Sequence, residues 1–314
     1  MPKQNFKTSI GGQALIEGVM MRGPEKSALT VRLPDGTLDV ETWPNPAASG
    51  KWYRKTPFVR GVFNMVDAMK LGYKCMMKSA EKSGMLEEEE PSRFEKWLAE
   101  KLGDKFGTVI TGFSVVVGVV LAVGLFAVLP VFLTGLVSGA AGVTLHPTAR
   151  ALSEGLVRIC IFVLYVLITS KLVKEIRRVF EYHGAEHKTI ACYEAGLELT
   201  VENVRTKSRF HPRCGTSFIL IVLVISIIIF SVIRIDDVLL RTAIRFALLP
   251  VVVSIAYEII KFAGRRDNLL TRIISAPGQW LQRLTAYEPD NGQIETAIAS
   301  MNAVIPENDG ADSW

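Results

Sequence analysis

His183-Gly184-Ala185-Glu186-His187-Lys188 holds two of the four histidines in the chain. On a helix, His183, Glu186 and His187 share one face, because residues three and four apart stand about 5–6 Å from one another. Two imidazoles at that spacing reach a single metal ion at Zn–N distances of about 2.0–2.1 Å. The order H-x-x-E-H is also the inverted zinc-hydrolase signature, in which the glutamate is the general base. Further along, His211 and Cys214 stand in H-x-x-C spacing, with Pro212 and Gly215 to stiffen the turn. The candidate ligands are therefore His183, His187, His211 and Cys214, and Glu186 is the candidate catalytic group. They imply one divalent metal, zinc-like, since imidazole and thiolate donors select zinc over magnesium. Four ligands would make a closed structural site, whereas three would leave a position for a water that Glu186 can activate. Spacing alone leaves both open. It also leaves open plain helix-surface histidines near lipid headgroups, with Glu186 paired to a lysine. Cys192 reads as a packed residue rather than a ligand.

A second constellation lies near the start, Gly11-Gly12-Gln13-Ala14-Leu15-Ile16-Glu17-Gly18-Val19-Met20-Met21-Arg22-Gly23-Pro24. Its glycines point to close backbone approach or positive φ. Glu17 is a candidate ligand or base, and Arg22 can bind a phosphate or carboxylate. The plainer alternative is a packed strand whose charges pair with the 174–216 segment. The pattern of this stretch fits strand and helix equally.

The elements that must position these groups are largely apolar. The chain is 49% hydrophobic, with a mean hydropathy of +0.28. Val109 to Leu133 holds no charge in 25 residues. Further apolar runs cover about Leu152 to Val173, Ser217 to Ile233, and Leu239 to Ala263. A spanning helix needs about 20 mostly apolar residues. The expected fold is mainly α, a polytopic membrane protein with about four transmembrane helices. Eight Lys or Arg fall between Lys174 and Thr216, against one in each of the links 134–150 and 234–238. The bias toward basic inner loops predicts that both termini and the 174–216 segment are cytoplasmic. No apolar stretch follows Met-Pro-Lys-Gln-Asn, so the first span is expected to be an uncleaved anchor. The net charge of +5 is explained by these loops and by contact with anionic lipid, and no nucleic-acid partner is expected.

Residues 1–57 read as a small β-containing cap, with a hairpin about Pro34-Asp35-Gly36 and an irregular 43–57. In 58–106, an amphipathic helix over Gly61–Ser79 precedes the solvated linker Glu87–Glu90 and a helix over 92–106. The membrane region is 107–263. Its second helix is expected to continue through His187 to a C-cap at Gly196, with a helical turn at Thr200–Val204 and a tight loop at 209–215. Glu154 and Arg158 are expected to pair as i and i+4, and Arg245 to snorkel or meet Asp236 or Asp237. Glu258 reads as one half of a structural ion pair. In 264–314, a membrane-surface helix pair broken at Pro277-Gly278 is followed by a helix over 290–304 and a disordered end.

Three stretches together, Gly11–Pro24, Glu181–Lys188 and Arg209–Ser217, resemble the YqhQ-like bacterial membrane proteins, from about residue 10 to residue 304. This is a family of unknown function labelled predicted metal-dependent enzymes. The resemblance implies a multi-pass protein of the bacterial cell membrane, and places His183, Glu186, His187, His211 and Cys214 in the family's motifs. It brings no substrate. The leading expectation is a membrane-embedded metal-dependent hydrolase with its site on the cytoplasmic face. A non-enzymatic scaffold with a structural metal site is the alternative. A small transporter using Glu258, Arg158 and Arg245 is a third reading, with room for a pathway only in a homo-oligomer.

Overall fold

A computed structural model of the chain describes residues 6–45, 52–85, 97, 100–101, 103, 106–233, 235, 237–265, 268–308 and 311–312. The chain clusters into two units, one of residues 1–85, 166–225 and 248–314, the other of residues 86–165 and 226–247.

The first unit opens with β1 (Gly11–Leu15), β2 (Gly18–Arg22), β3 (Lys26–Arg32) and β4 (Leu38–Pro44), an antiparallel sheet in sequence order. The hairpin expected at Pro34-Asp35-Gly36 is β3–β4. The ambiguous stretch 11–24 is a second hairpin, turning at Ile16-Glu17 with Glu17 at φ 49°. Its ambiguity has a physical cause, since β2 is covered on both faces. Val19, Met21 and Ala28 join one apolar cluster with Tyr182, Ala185 and Ile294. Leu15, Met20, Leu29 and Val31 join another with Cys75. Alternating polarity marks a strand only when one face is wet. The second cluster is closed by α1 (Arg60–Lys82), the expected amphipathic helix. The expected acidic linker and the helix over 92–106 fall largely outside the described residues.

The membrane-spanning part departs from four equal helices. α2 (Phe106–Val123), a π-helical turn (Gly124–Val128) and α3 (Leu129–Ala140) make up the first apolar run. α4 (Pro147–Leu172) is the second. Val173, at φ −103° and ψ 107°, ends it, so the expected continuous helix to Gly196 is two helices, the next being α5 (Lys174–Glu194). Gly196 at φ 67° closes α5 as expected, with Leu197 N–H donating to the Cys192 carbonyl. α6 (Val201–Arg205), capped by Thr200, is the expected helical turn. α7 (Gly215–Ser231) and α8 (Val238–Arg265) complete the apolar set. Three helices are long and apolar enough to cross a membrane: Gly112–Ala140, Pro147–Leu172 and Leu240–Ala263. The 17 residues of α7 rise about 26 Å, short of a hydrocarbon core of about 30 Å. The chain is a mainly helical, polytopic membrane protein.

Charges inside the second unit are placed differently from expectation. Pro130 has no N–H to offer the Phe126 carbonyl, and Arg158 Nε donates to that oxygen at 2.7 Å. Glu154 pairs with Arg245 at 2.8 Å and stands 3.7 Å from Arg241. In the first unit, Glu258 accepts from Arg60 Nε at 2.8 Å and Nη2 at 2.5 Å, the ion pair expected of it with a partner the spacing did not name.

The tail is α9 (Leu269–Thr285) and α10 (Asn291–Asn302), each opened by a capping box. Pro277-Gly278 does not break α9, against expectation. A side chain at Gly278 would overlap Ser217, so the glycine serves close packing against the start of α7 rather than a turn. Leu269, Leu270, Ile273 and Trp280 stay exposed on the other face, as a membrane-surface helix requires. Part of the end expected to be disordered is packed. Asp312 is buried, accepts from Thr8 Oγ1 at 2.6 Å and takes the Ser9 N–H on its carbonyl.

Candidate metal centre

Helix α5 is enclosed from Tyr182 through Ile190, every residue of which is buried. A polar motif in such a place must be fully hydrogen-bonded or carry ligands. His183 Nδ1 stands 2.6 Å from the Thr285 carbonyl, and His187 Nδ1 stands 2.6 Å from the Arg209 carbonyl. A carbonyl only accepts, so each imidazole donates its Nδ1–H there and keeps Nε2 as its free pole. This is how metal-ligating histidines are held, with the outer nitrogen on a backbone carbonyl. The free pole of His183 meets Cys214 Sγ at 3.1 Å. One donor atom each from His183, His187 and Cys214 lie within 4.8 Å of one another. Donors around a tetrahedral zinc stand about 3.5 Å apart, as follows from Zn–N and Zn–S lengths of about 2.0–2.3 Å. His183, His187 and Cys214 are thus the residues that could hold a zinc-like ion, with a small closing of the donors around it.

Cys214 sits just before the first turn of α7, where Thr216 N–H donates to its sulfur at 3.4 Å and Thr216 Oγ1 lies at 3.1 Å. Burial alone would raise the thiol pKa, but His183 and His187 hold it well below its ordinary value. Burial alone would lower the His183 pKa, but the Cys214 sulfur raises it to about 9. The pair thus favours a thiolate beside an imidazolium, whose Nε2 proton would have to leave before that nitrogen could ligate a metal.

Glu186 is also buried, and its Oε1 accepts the Gly12 N–H at 3.0 Å. That bond ties the glycine-rich stretch to the motif helix, where the plainer alternative had a lysine as partner. Lys188 is engaged elsewhere, with Glu288 at 2.8 Å and the Arg205 carbonyl at 3.0 Å. Glu17 is not brought to the histidines. Its carboxylate is held by the Arg178 guanidinium and by Tyr182 Oη at 3.0 Å, so it pairs with the 174–216 segment and anchors the β1–β2 turn. His211 comes near without joining the three donors. Its ring centroid is 5.6 Å from that of His187, and its Nε2 faces Glu194 at 3.6 Å. Cys192 is packed, with Sγ 3.6 Å from the Glu198 carbonyl. Arg22 lies exposed at the end of β2.

The sequence reading missed Gln282. Its Oε1 accepts the His211 N–H at 2.8 Å, and its Nε2 donates to the His211 carbonyl at 2.8 Å. One buried amide thereby fixes the loop that carries His211 and Cys214. A signal for it was present. Thr271, Ser275, Gly278, Gln282 and Thr285 are buried at helical spacing, a polar stripe that packs on protein rather than lipid. Gln282→Leu would strand two buried backbone groups, at about 1–3 kcal/mol each. A thermal-unfolding midpoint several degrees lower and a loosened metal are expected. An unchanged midpoint would count against the clamp.

The donors open onto a cavity of about 650 Å³. Glu186 and His211 line it with them, and Met65, Met69 and Ile219 form part of an apolar wall. A ligand with a polar bond beside an apolar portion matches such a lining.

Residues 56–307 match the family described as "Protein of unknown function (DUF1385)". The chain is 34% identical over 310 residues to the uncharacterized protein YqhQ of Bacillus subtilis (strain 168), covering 97% of this chain and 95% of that protein. No solved structure matches it.

Proposed function

The chain belongs to the DUF1385 family of proteins of unknown function, and from its site we propose that it is a membrane-embedded, metal-dependent hydrolase. The observation that carries this reading is the pair of imidazoles clamped through Nδ1 on backbone carbonyls, their free poles gathered with the Cys214 sulfur. His183, His187 and Cys214 would hold the ion, and His211 would steady the loop from beside it. A zinc-like ion there would polarise a carbonyl or phosphoryl group and make a water more acidic. Glu186 would serve beside it as the general base and, in turn, as the proton donor to the leaving group. The Gly12 N–H keeps the carboxylate aimed. The apolar wall orients the remainder of the substrate. Among the described residues three donors gather rather than four, which favours this reading over the scaffold, because a structural site is closed.

The bacterial relative supports a bacterial cytoplasmic membrane location, and the basic-loop bias supports a site and both termini on the cytoplasmic side. A cysteine placed at position 146 is then expected to be labelled from outside, and cysteines at 183–214 only from inside. External labelling of the latter would overturn the orientation.

Metal analysis tests the centre itself. Purified protein is expected to carry about one zinc-like ion per chain. The double variant His183→Ala, His187→Ala should lose it. Full occupancy in that variant would sink the site.

A further inference from the structure

The second unit holds a separate pocket of about 220 Å³, at the starts of α4 and α8. It is lined by Arg150, Glu154, Arg241 and Arg245, with Ile233 and Ile235 among its apolar walls. Three guanidinium groups thus meet one carboxylate among the described residues. Glu154 is 1% exposed and Arg241 7% exposed. The pairing is also incomplete in geometry. Glu154 Oε2 lies 2.8 Å from Arg245 Nη1 but outside hydrogen-bonding angles, and Arg245 Nε is buried with no hydrogen-bond partner. Arg241 Nη2 stands 3.7 Å from Glu154, and its Nη1 makes a long bond of 3.4 Å to the Ile235 carbonyl. Arg245 also stacks over the Phe230 ring at 5.6 Å.

An uncompensated guanidinium at the end of a spanning helix is costly, and such groups pair with something. A cluster kept only for stability would balance its charges and fill its forks. This one leaves Arg245 Nε and both Glu154 oxygens without a hydrogen-bond partner beside a pocket. The planar fork of arginine matches a tetrahedral oxyanion and binds it through two parallel N–H bonds. We infer that this pocket binds a phosphate group, held chiefly by Arg241 and Arg245 with Arg150 at its rim. The phosphate comes from a lipid headgroup or is free in solution. Glu154 competes with the phosphate for the same two arginines and sets its affinity. The proposal does not depend on the metal site.

The test uses full-length protein, stripped of lipid in an uncharged detergent. The probes are inorganic phosphate, phosphatidic acid and, as a phosphate-free match, diacylglycerol. Phosphatidic acid is expected to raise the unfolding temperature of the wild type, and diacylglycerol to leave it unchanged. Arg241→Gln and Arg245→Gln should each weaken binding about tenfold or more, the worth of a charge-assisted bond. Glu154→Gln should tighten it. Stabilisation by phosphatidic acid alone assigns the site to a lipid headgroup, and an equal response to inorganic phosphate assigns it to the free ion. Both outcomes support the phosphate site. No response to either phosphate-bearing probe, or arginine variants that respond like the wild type, would overturn it. Should the arginine variants fail to fold, Glu154→Gln decides alone, and unchanged or weaker binding there overturns the proposal.

Discussion

Glu186→Gln is expected to keep its fold and its metal while losing about 10²–10⁴-fold in rate, the usual worth of a positioned general base. Glutamine matches the size of glutamate, and its amide oxygen can still accept the Gly12 N–H that Oε1 accepts at 3.0 Å. The change therefore removes only the ability to take a proton. Metal content and thermal unfolding of the purified variant should match the wild type, and the variant should fail to complement a deletion strain. Cys214→Ala reads the opposite quality, since it removes a donor and should lower metal content. In a scaffold only the cysteine change would be severe, because a closed structural site contributes directly to folding. There Cys214→Ala would cost stability and Glu186→Gln would be nearly silent. A metal-loaded, stable and fully functional Gln variant excludes Glu186 as the base.

Gly184→Ala is expected to be the most damaging single added methyl group among the described glycines. A Cβ at this position would overlap the carbonyl oxygen of Tyr287, and backbone cannot rotate aside as a side chain does. Tyr287 is further fixed by its own N–H, which donates to the Phe180 carbonyl of α5 at 2.9 Å. Relief requires α5 to part from the 285–289 segment, which carries the Thr285 carbonyl that orients His183. A cost of about 3 kcal/mol or more follows, at the upper end of overpacking. Loss of metal should accompany it. Gly118→Ala is the control, because nothing stands within 4 Å of its added methyl and alanine is the better helix former. Equal unfolding midpoints for the two variants would remove the close approach from the account of the site.

Much of the helical architecture was legible because its causes are local. Apolar runs of spanning length, the Gly196 cap and the Thr200 turn each depend on residues within a turn or two. The sheet was half legible. β3 and β4 flank a turn of Pro34, Asp35 and Gly36 that announces itself. β1 and β2 read equally as strand or helix, because burial of β2 on both faces erased its alternation. Pro277-Gly278 misled for a related reason. A glycine needed for close packing against Ser217 looks, in one dimension, like a glycine needed for a turn.

The candidate site divides in the same way. The amino-acid sequence by itself determined that His183, Glu186 and His187 share one face of a helix, since the helical period alone aligns them. It also marked Cys214 as a donor near them. Only the tertiary structure decided which nitrogen of each histidine is free. The carbonyls that fix them come from Arg209 and Thr285, 22 and 102 residues away along the chain. Tertiary packing likewise turned His211 toward Glu194 and sent Glu17 to Arg178 and Tyr182. Spacing in the chain fixes direction only within one element. The aim of a side chain across elements depends on which distant backbone group it meets, and that follows from how the whole unit closes.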